Sequence, residues 1–196
     1  MSSVPSYITM FPEPADVFAD RMEEHSKFLF PLFSVDLSQV NPSWQGKLHM
    51  LQFNEDPYNR ETVSAFNEYC TDRTIGFDVI DGKYSFKTDF KFFELSPGWV
   101  MYYNRTRDSF EETKKRYADA GIFTTPYNYP EEPFNGIGGE AHWTQSAATP
   151  LDPDGNPMTF IAQVYTAKYC KDSCEKDLFL FYSHDHQLAV ITYQIT

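Results

Sequence analysis

The chain has 196 residues, which suits one domain or at most two small ones, and it is long enough to bury a core without disulfides or metal. With 41% hydrophobic and 22% charged residues it is not a disordered segment. Sixteen basic against 28 acidic residues leave a net charge of −12, which sets it against phosphate backbones and anionic membrane surfaces and toward cationic partners.

No run approaches the ~20 apolar residues of a membrane span, and residues 1–17 lack the basic and apolar regions of a secretory signal. Three cysteines, an odd number, fit a reducing compartment, so a cytosolic home is expected. Aromatic residues are abundant, with 18 Phe, 13 Tyr and 3 Trp, and rings in this number suit sheets and interfaces.

In chain order, Phe18, Met22 and Leu29 lie at near-helical spacing among Asp16, Asp20, Glu23 and Glu24. They predict an amphipathic helix from about Pro14 to Phe30, stopped before Pro31. A strand is predicted over Leu48 to Phe53. Asn59 is placed to cap a second helix with Val63, Phe66 and Cys70 on one face. Ile75, Phe77 and Val79, then Tyr84, Phe86, Thr88, Phe90 and Phe92, alternate with polar or small residues about Asp81-Gly82, a strong hairpin signal.

A further strand is predicted over Trp99 to Asn104. The Ser109/Glu112 capping box then opens a third helix, with Phe110, Thr113, Tyr117 and Ala120 on one face and Gly121 as a left-handed C-terminal cap. Strands over Thr159 to Tyr165, Leu178 to Tyr182 and Leu188 to Ile195 are close enough in sequence for an antiparallel meander. The expected fold is a single α+β domain over residues 1–196, mostly antiparallel sheet with about three helices packed on it.

Between the third helix and Thr159 lies a long segment rich in Pro, Gly, Asn and Thr, and long irregular segments in compact domains are often functional. From Tyr117 to Ala167 there is no Lys or Arg, while Asp119, Glu131, Glu132, Glu140, Asp152 and Asp154 fall inside it. Tyr127, Tyr129, Phe134 and Trp143 stand among these acids and supply rings of the kind that anchor interfaces. Glu131, Glu132, Glu140, Asp152 and Asp154, with those four aromatics, are the candidate partner-binding set.

Catalytic signatures are sparse. There is no G-x-S-x-G, no S-x-x-K of the penicillin-binding type and no H-E-x-x-H. His184 and His186 flank Asp185 in a short polar stretch that reads as a hairpin loop, with a metal site alongside Glu140 or His142 as the other reading. Cys170 and Cys174 would share a helix face near one metal ion but would be roughly 13 Å apart on a strand, at ~3.3 Å per residue. Cys170 could also pair with His184 or His186 as thiol and imidazole. Gly136-Ile137-Gly138-Gly139 lacks the lysine of a phosphate loop and reads as a turn. No cofactor is expected.

Gly138-Gly139-Glu140-Ala141-His142-Trp143-Thr144-Gln145, followed by Asp152 to Val164, resembles the YwqG-like family of bacterial proteins. Leu178 to Tyr182 then matches its final aromatic strand, Leu48 to Phe53 matches more loosely, and Glu140 stands where the family has an aromatic or small residue. The resemblance implies an α+β fold with much antiparallel sheet and brings no catalytic residues. It also implies a role as an immunity protein, since some relatives are immunity proteins of polymorphic toxins. On this reading Trp143 anchors a turn, and Gln145 and Gln163 satisfy loop backbone groups.

Together these observations favour a non-catalytic acidic protein that binds and neutralises a basic toxin domain. The alternatives are a metal-dependent or thiol enzyme using His184/His186 and Cys170/Cys174, and a small-ligand-binding domain.

Overall fold

The computed structural model describes residues 4–171 and 175–195. It is α+β, with a three-stranded and a six-stranded antiparallel sheet and three α-helices among the described residues. The first sheet has β1 (Ile8–Met10), β2 (Leu29–Asp36) and β3 (Lys47–Phe53) in that order. Between β1 and β2 stand two short helices, α1 (Pro14–Val17) and α2 (Met22–Phe28).

The single amphipathic helix expected from Pro14 to Phe30 is therefore broken, because Arg21 turns left-handed at φ 39°. The break places the ring of His25 on that of Phe18, with centroids 4.6 Å apart. Pro31 does not stop a helix. It lies inside β2, where the register with β3 shifts between Pro31 and Phe33, a bulge position that tolerates a residue without an N–H.

Asn59 caps as expected, its side chain accepting the Glu61 N–H at 3.1 Å, but the helix it starts is a 3-10 segment ending at Ala65. Beyond it come β4 (Thr74–Ile80) and β5 (Lys83–Phe86). Asp81 and Gly82 join them with φ of 51° and 77°, the positive pair that a two-residue type I′ turn demands. The second alternating run ends sooner than expected, because Phe90–Phe93 coils into a 3-10 turn capped by the Asp89 carboxylate.

The helix α3 (Val100–Ala120) absorbs two expected elements. The strand predicted over Trp99 to Asn104 forms its first turns, and Ser109 falls in its middle rather than at its start. Packing overrides the β-propensity of those aromatics. Thr106, Phe110 and Thr113 are buried at i, i+4 and i+7, and the Phe110 ring meets Phe30 at 5.4 Å and Phe11 at 5.7 Å. Gly121 ends the helix at φ 66°, its N–H donating to the Tyr117 carbonyl at 2.8 Å.

The remaining strands are β6 (Gly136–Ile137), β7 (Thr159–Tyr165), β8 (Lys176–Ser183) and β9 (Leu188–Ile195). The six-stranded sheet runs β5-β4-β9-β8-β7-β6, so the expected meander is present and β4 pairs with β9 across it. Alternation along the strands builds two cores. Leu178, Leu180, Tyr182, Ala189, Ile191 and Tyr193 face the first sheet, while Phe160, Phe179, Phe181, Leu188 and Val190 form a second cluster with Tyr69 and Met158. Residues 138–150 cross over this second cluster as a strap, with Ala141 and Trp143 packed on it. No helix of the described residues is long and apolar enough to cross a membrane.

Candidate functional site

The basic-free segment contributes three structures in turn. The first is the loop from Phe123 to Phe134. Thr125 N–H donates to the Tyr129 carbonyl at 2.9 Å, and Asn128, at φ 63°, donates its N–H to the Thr125 carbonyl at 2.8 Å. Tyr127 and Tyr129 project from this turn 59% and 67% exposed, followed by the exposed Glu131 and Glu132. Cations from the following segment hold the loop in place. Lys168 Nζ donates to the carbonyls of Glu132 at 2.9 Å and Phe134 at 3.1 Å, and lies 3.6 Å from the Glu131 carboxylate. Lys171 Nζ stands 5.4 Å from the centre of the Tyr127 ring. Phe134, also in the expected set, is not part of this exposed surface: at 9% exposure it belongs to the core, 6.3 Å from the Phe33 ring.

The strap is the second structure, and glutamines on the sheet hold it. Gln163 on β7 accepts the His142 N–H at 3.1 Å and donates to the His142 carbonyl at 3.0 Å. Gln194 on β9 accepts from the N–H groups of Thr144 at 3.1 Å and Gln145 at 2.9 Å. Gln145 in turn donates its side-chain N–H to the Ile195 carbonyl at 2.7 Å. Between these clamps the Trp143 indole stacks 4.2 Å from the Phe179 ring and 5.8 Å from Phe181. Gln163 thus satisfies loop backbone groups as expected, Gln145 instead reaches a strand carbonyl of β9, and Trp143 anchors the strap, while Glu140 is exposed near its start.

The third structure is the turn at Asp152 to Pro157. Asp152 Oδ1 accepts the N–H groups of Asp154 at 3.0 Å and Asn156 at 2.9 Å, and these bonds hold its carboxyl below the usual carboxylate range. His186 Nε2 lies 3.1 Å from Asp154 Oδ2 and 3.9 Å from Asp152 Oδ2. These two acids therefore shape a turn beside the β8–β9 hairpin. Glu131 and Glu132 are held near the other end of β7, roughly 20 Å away along the strand at ~3.3 Å per residue. The acids of the candidate partner-binding set are therefore split, with Glu131 and Glu132 near one end of β7 and Asp152 and Asp154 near the other.

His184 and His186 occupy the β8–β9 turn, as the polar loop reading anticipated, and His184 stacks on Trp44 at 5.1 Å with the planes 6° apart. Cys170 precedes β8 and the histidines follow it, so the thiol and the imidazoles sit at opposite ends of an eight-residue strand and do not pair. Cys170 is 3% exposed, with its thiol 3.2 Å from Gln52 Oε1. Cys174 lies outside the described residues. Among the described residues no group of three or more His, Cys, Asp or Glu is placed to hold a metal ion. Gly136 and Ile137 pair with β7, and Gly138 and Gly139 turn the chain into the strap at φ 63° and 74°.

A feature not anticipated from the sequence lies between the tyrosine loop and the strap. Asn135, His142, Thr144, Gln163, Tyr165 and Asp177 line an open cavity of about 450 Å³ on the outer face of β7 and β8. Asp177 is 6% exposed, and burial pushes its carboxyl above the usual carboxylate range. Its place in an apolar-looking strand, beside Leu178 and Phe179, was the one available signal. Compared with known proteins, the chain matches no family model, no curated protein and no solved structure.

Proposed function

We propose that the chain is a non-catalytic acidic binding protein that acts in the cytosol as an immunity protein, neutralising a basic toxin domain. The observation that carries this reading is the loop 123–134, which presents two largely exposed tyrosine rings directly before two exposed carboxylates. Tyrosine supplies large contact area with little side-chain entropy to lose, and it dominates binding energy at many interfaces. The Lys168 bonds fix the loop before any partner arrives, which lowers the ordering cost of association. A net charge of −12 draws a basic partner in. The resemblance to the YwqG-like family, with its immunity members, points the same way.

The partner-facing set on this reading is Tyr127, Tyr129, Glu131 and Glu132, with Glu140 at its margin. Asp152, Asp154, Phe134 and Trp143 serve the turn, the core and the strap. The test is co-expression with the protein encoded by the adjacent gene. Rescue of growth and a co-purifying complex are expected, and Glu131→Lys with Glu132→Lys should slow association by about tenfold and flatten its salt dependence. Unchanged association kinetics in that variant would remove the loop as the interface.

A further inference from the structure

The cavity beside the tyrosine loop has a chemistry of its own. Among the described residues, the Asp177 carboxylate takes one hydrogen bond, a long one from Gln163 Nε2 to Oδ1 at 3.4 Å. Its other oxygen is left to the cavity that the residue lines. Gln163 cannot come closer, because its amide is already committed to the backbone of His142 at both ends. A carboxylate nine-tenths buried with so little compensation is costly unless a donor or a cation is supplied from outside.

The surroundings select that group. Among the described residues no Lys or Arg lines the cavity. Thr144 spends its hydroxyl proton on Gln194 Oε1 at 3.1 Å, leaving its lone pairs to accept. The Tyr165 hydroxyl donates to the Glu175 carboxylate, so a second negative group stands at that wall. An anion would meet the Asp177 carboxylate in the lining, with that of Glu175 close to the Tyr165 hydroxyl. A bare metal ion would find a single carboxylate in the lining, and among the described residues no group of three or more His, Cys, Asp or Glu is placed to hold it. An organic cation with several N–H donors satisfies Asp177, and the Tyr165 ring offers it a side wall. A volume of about 450 Å³ admits such a head group with its aliphatic stem.

We propose that this cavity receives the cationic head of a lysine or arginine side chain of the partner, with Asp177 as its counter-charge. The proposal rests on the reading of the chain as a receptor for a basic protein, and the cavity adjoins the end of the tyrosine loop through Asn135, which follows Phe134 and lines its wall. Asp177, four residues before Phe181 on β8, thus becomes a recognition residue on a sheet face otherwise given to packing.

The experiment uses the chain alone. It is titrated separately with arginine amide, lysine amide and uncharged citrulline amide, and the signals of His142, Thr144 and Gln163 are followed by heteronuclear NMR. A saturable shift at these residues is expected with one or both cations at millimolar concentration and not with citrulline amide. The stronger cation identifies the side chain recognised. Asp177→Asn should weaken the response about tenfold or more, while Glu111→Gln on α3 should leave it as it was. The citrulline comparison is made on the unaltered chain, so it decides the matter even if Asp177→Asn folds poorly. Equal shifts with citrulline amide, no saturable shift with either cation, or full cation binding by a folded Asp177→Asn chain would each overturn the proposal. No toxin enters this assay, so such a failure leaves the partner reading to its own co-expression test.

Discussion

The side-chain amide of Gln163 holds both backbone polar groups of His142, accepting from its N–H at 3.1 Å and donating to its carbonyl at 3.0 Å. This mimics a strand pairing with one side chain, and it ties the strap to the sheet beyond the short β6 pairing at Gly136 and Ile137. Replacing Gln163 by Leu should cost about 1–3 kcal/mol and free the strap while β7 stays paired. Urea unfolding measures the first effect. Limited proteolysis measures the second, with new cleavage expected between Gly138 and Pro150; an intact strap in the variant would show that the Gln194 and Trp143 contacts suffice.

Gly76 on β4 has no room for a side chain. A Cβ there would stand 2.6 Å from the Tyr69 Cβ and 3.1 Å from the Tyr69 carbonyl oxygen. Gly76→Ala should therefore destabilise the protein by about 1–3 kcal/mol. Gly98→Ala, where nothing lies within 4 Å, should change stability by no more than about 0.5 kcal/mol. Comparing the two melting temperatures checks both.

Two buried histidines make stability fall in mild acid. His49 Nε2 lies 2.9 Å from the Gly82 carbonyl, which can only accept, so Nε2 carries the proton and Nδ1 accepts from the Ser34 hydroxyl at 2.7 Å. Burial lowers its pKa from 6.5 to about 4. His25 is arranged in the opposite sense. Its Nδ1–H donates to the Arg21 carbonyl at 2.9 Å and its Nε2 accepts the Phe86 N–H at 3.1 Å, with burial again lowering the pKa. In both cases the fold favours the neutral ring, so the unfolded chain binds more protons below pH 6.5. The contribution is complete above pH 6.5 and is lost as pH falls toward 4, amounting to about 3 kcal/mol for His49 at 1.36 kcal/mol per unit. Chemical denaturation at pH 7, 6 and 5 should show the decline, and His49→Gln should flatten it.

Burial pushes the Cys70 thiol up to about 11, and its sulfur accepts the Gly76 N–H at 3.4 Å. Almost no thiolate is present at pH 8, and the residue is fully buried. A disulfide reagent should leave Cys70 unmodified in the native protein and modify it quickly in urea, with peptide mass mapping as the readout.

The legible parts of this fold were those fixed by local backbone requirements. Asp81-Gly82 and Gly121 marked their turns because left-handed φ values admit few residues, and β7, β8 and β9 were marked by their hydrophobic runs. The parts that depart from the sequence pattern are decided by distant contacts. Leu29 to Asp36 forms a strand despite Pro31, because β1 and β3 flank it and a bulge absorbs the ring. Trp99 to Asn104 is helical because the stripe through Thr106, Phe110 and Thr113 continues into it. For the site, the exposed loop could be anticipated from composition alone. Its split from Asp152 and Asp154 could not, because sequence order does not reveal that β7 separates them. Asp177 was hidden because its cavity exists only once the strap is tied across the sheet.

The placement of β9 between β4 and β8 has a consequence for how the molecule comes together. Thr74 meets Thr192 across 118 positions of sequence, so the early hairpin of β4 and β5 must wait on the ribosome for a neighbour made far later. The three-stranded sheet, with its short-range pairings, is free to assemble first and to offer a template. Arrival of β9 then closes the gap in one late step, and a synthesis intermediate halted before it would expose the two separated parts of the six-stranded sheet, β5-β4 and β8-β7-β6, to chaperones and to aggregation.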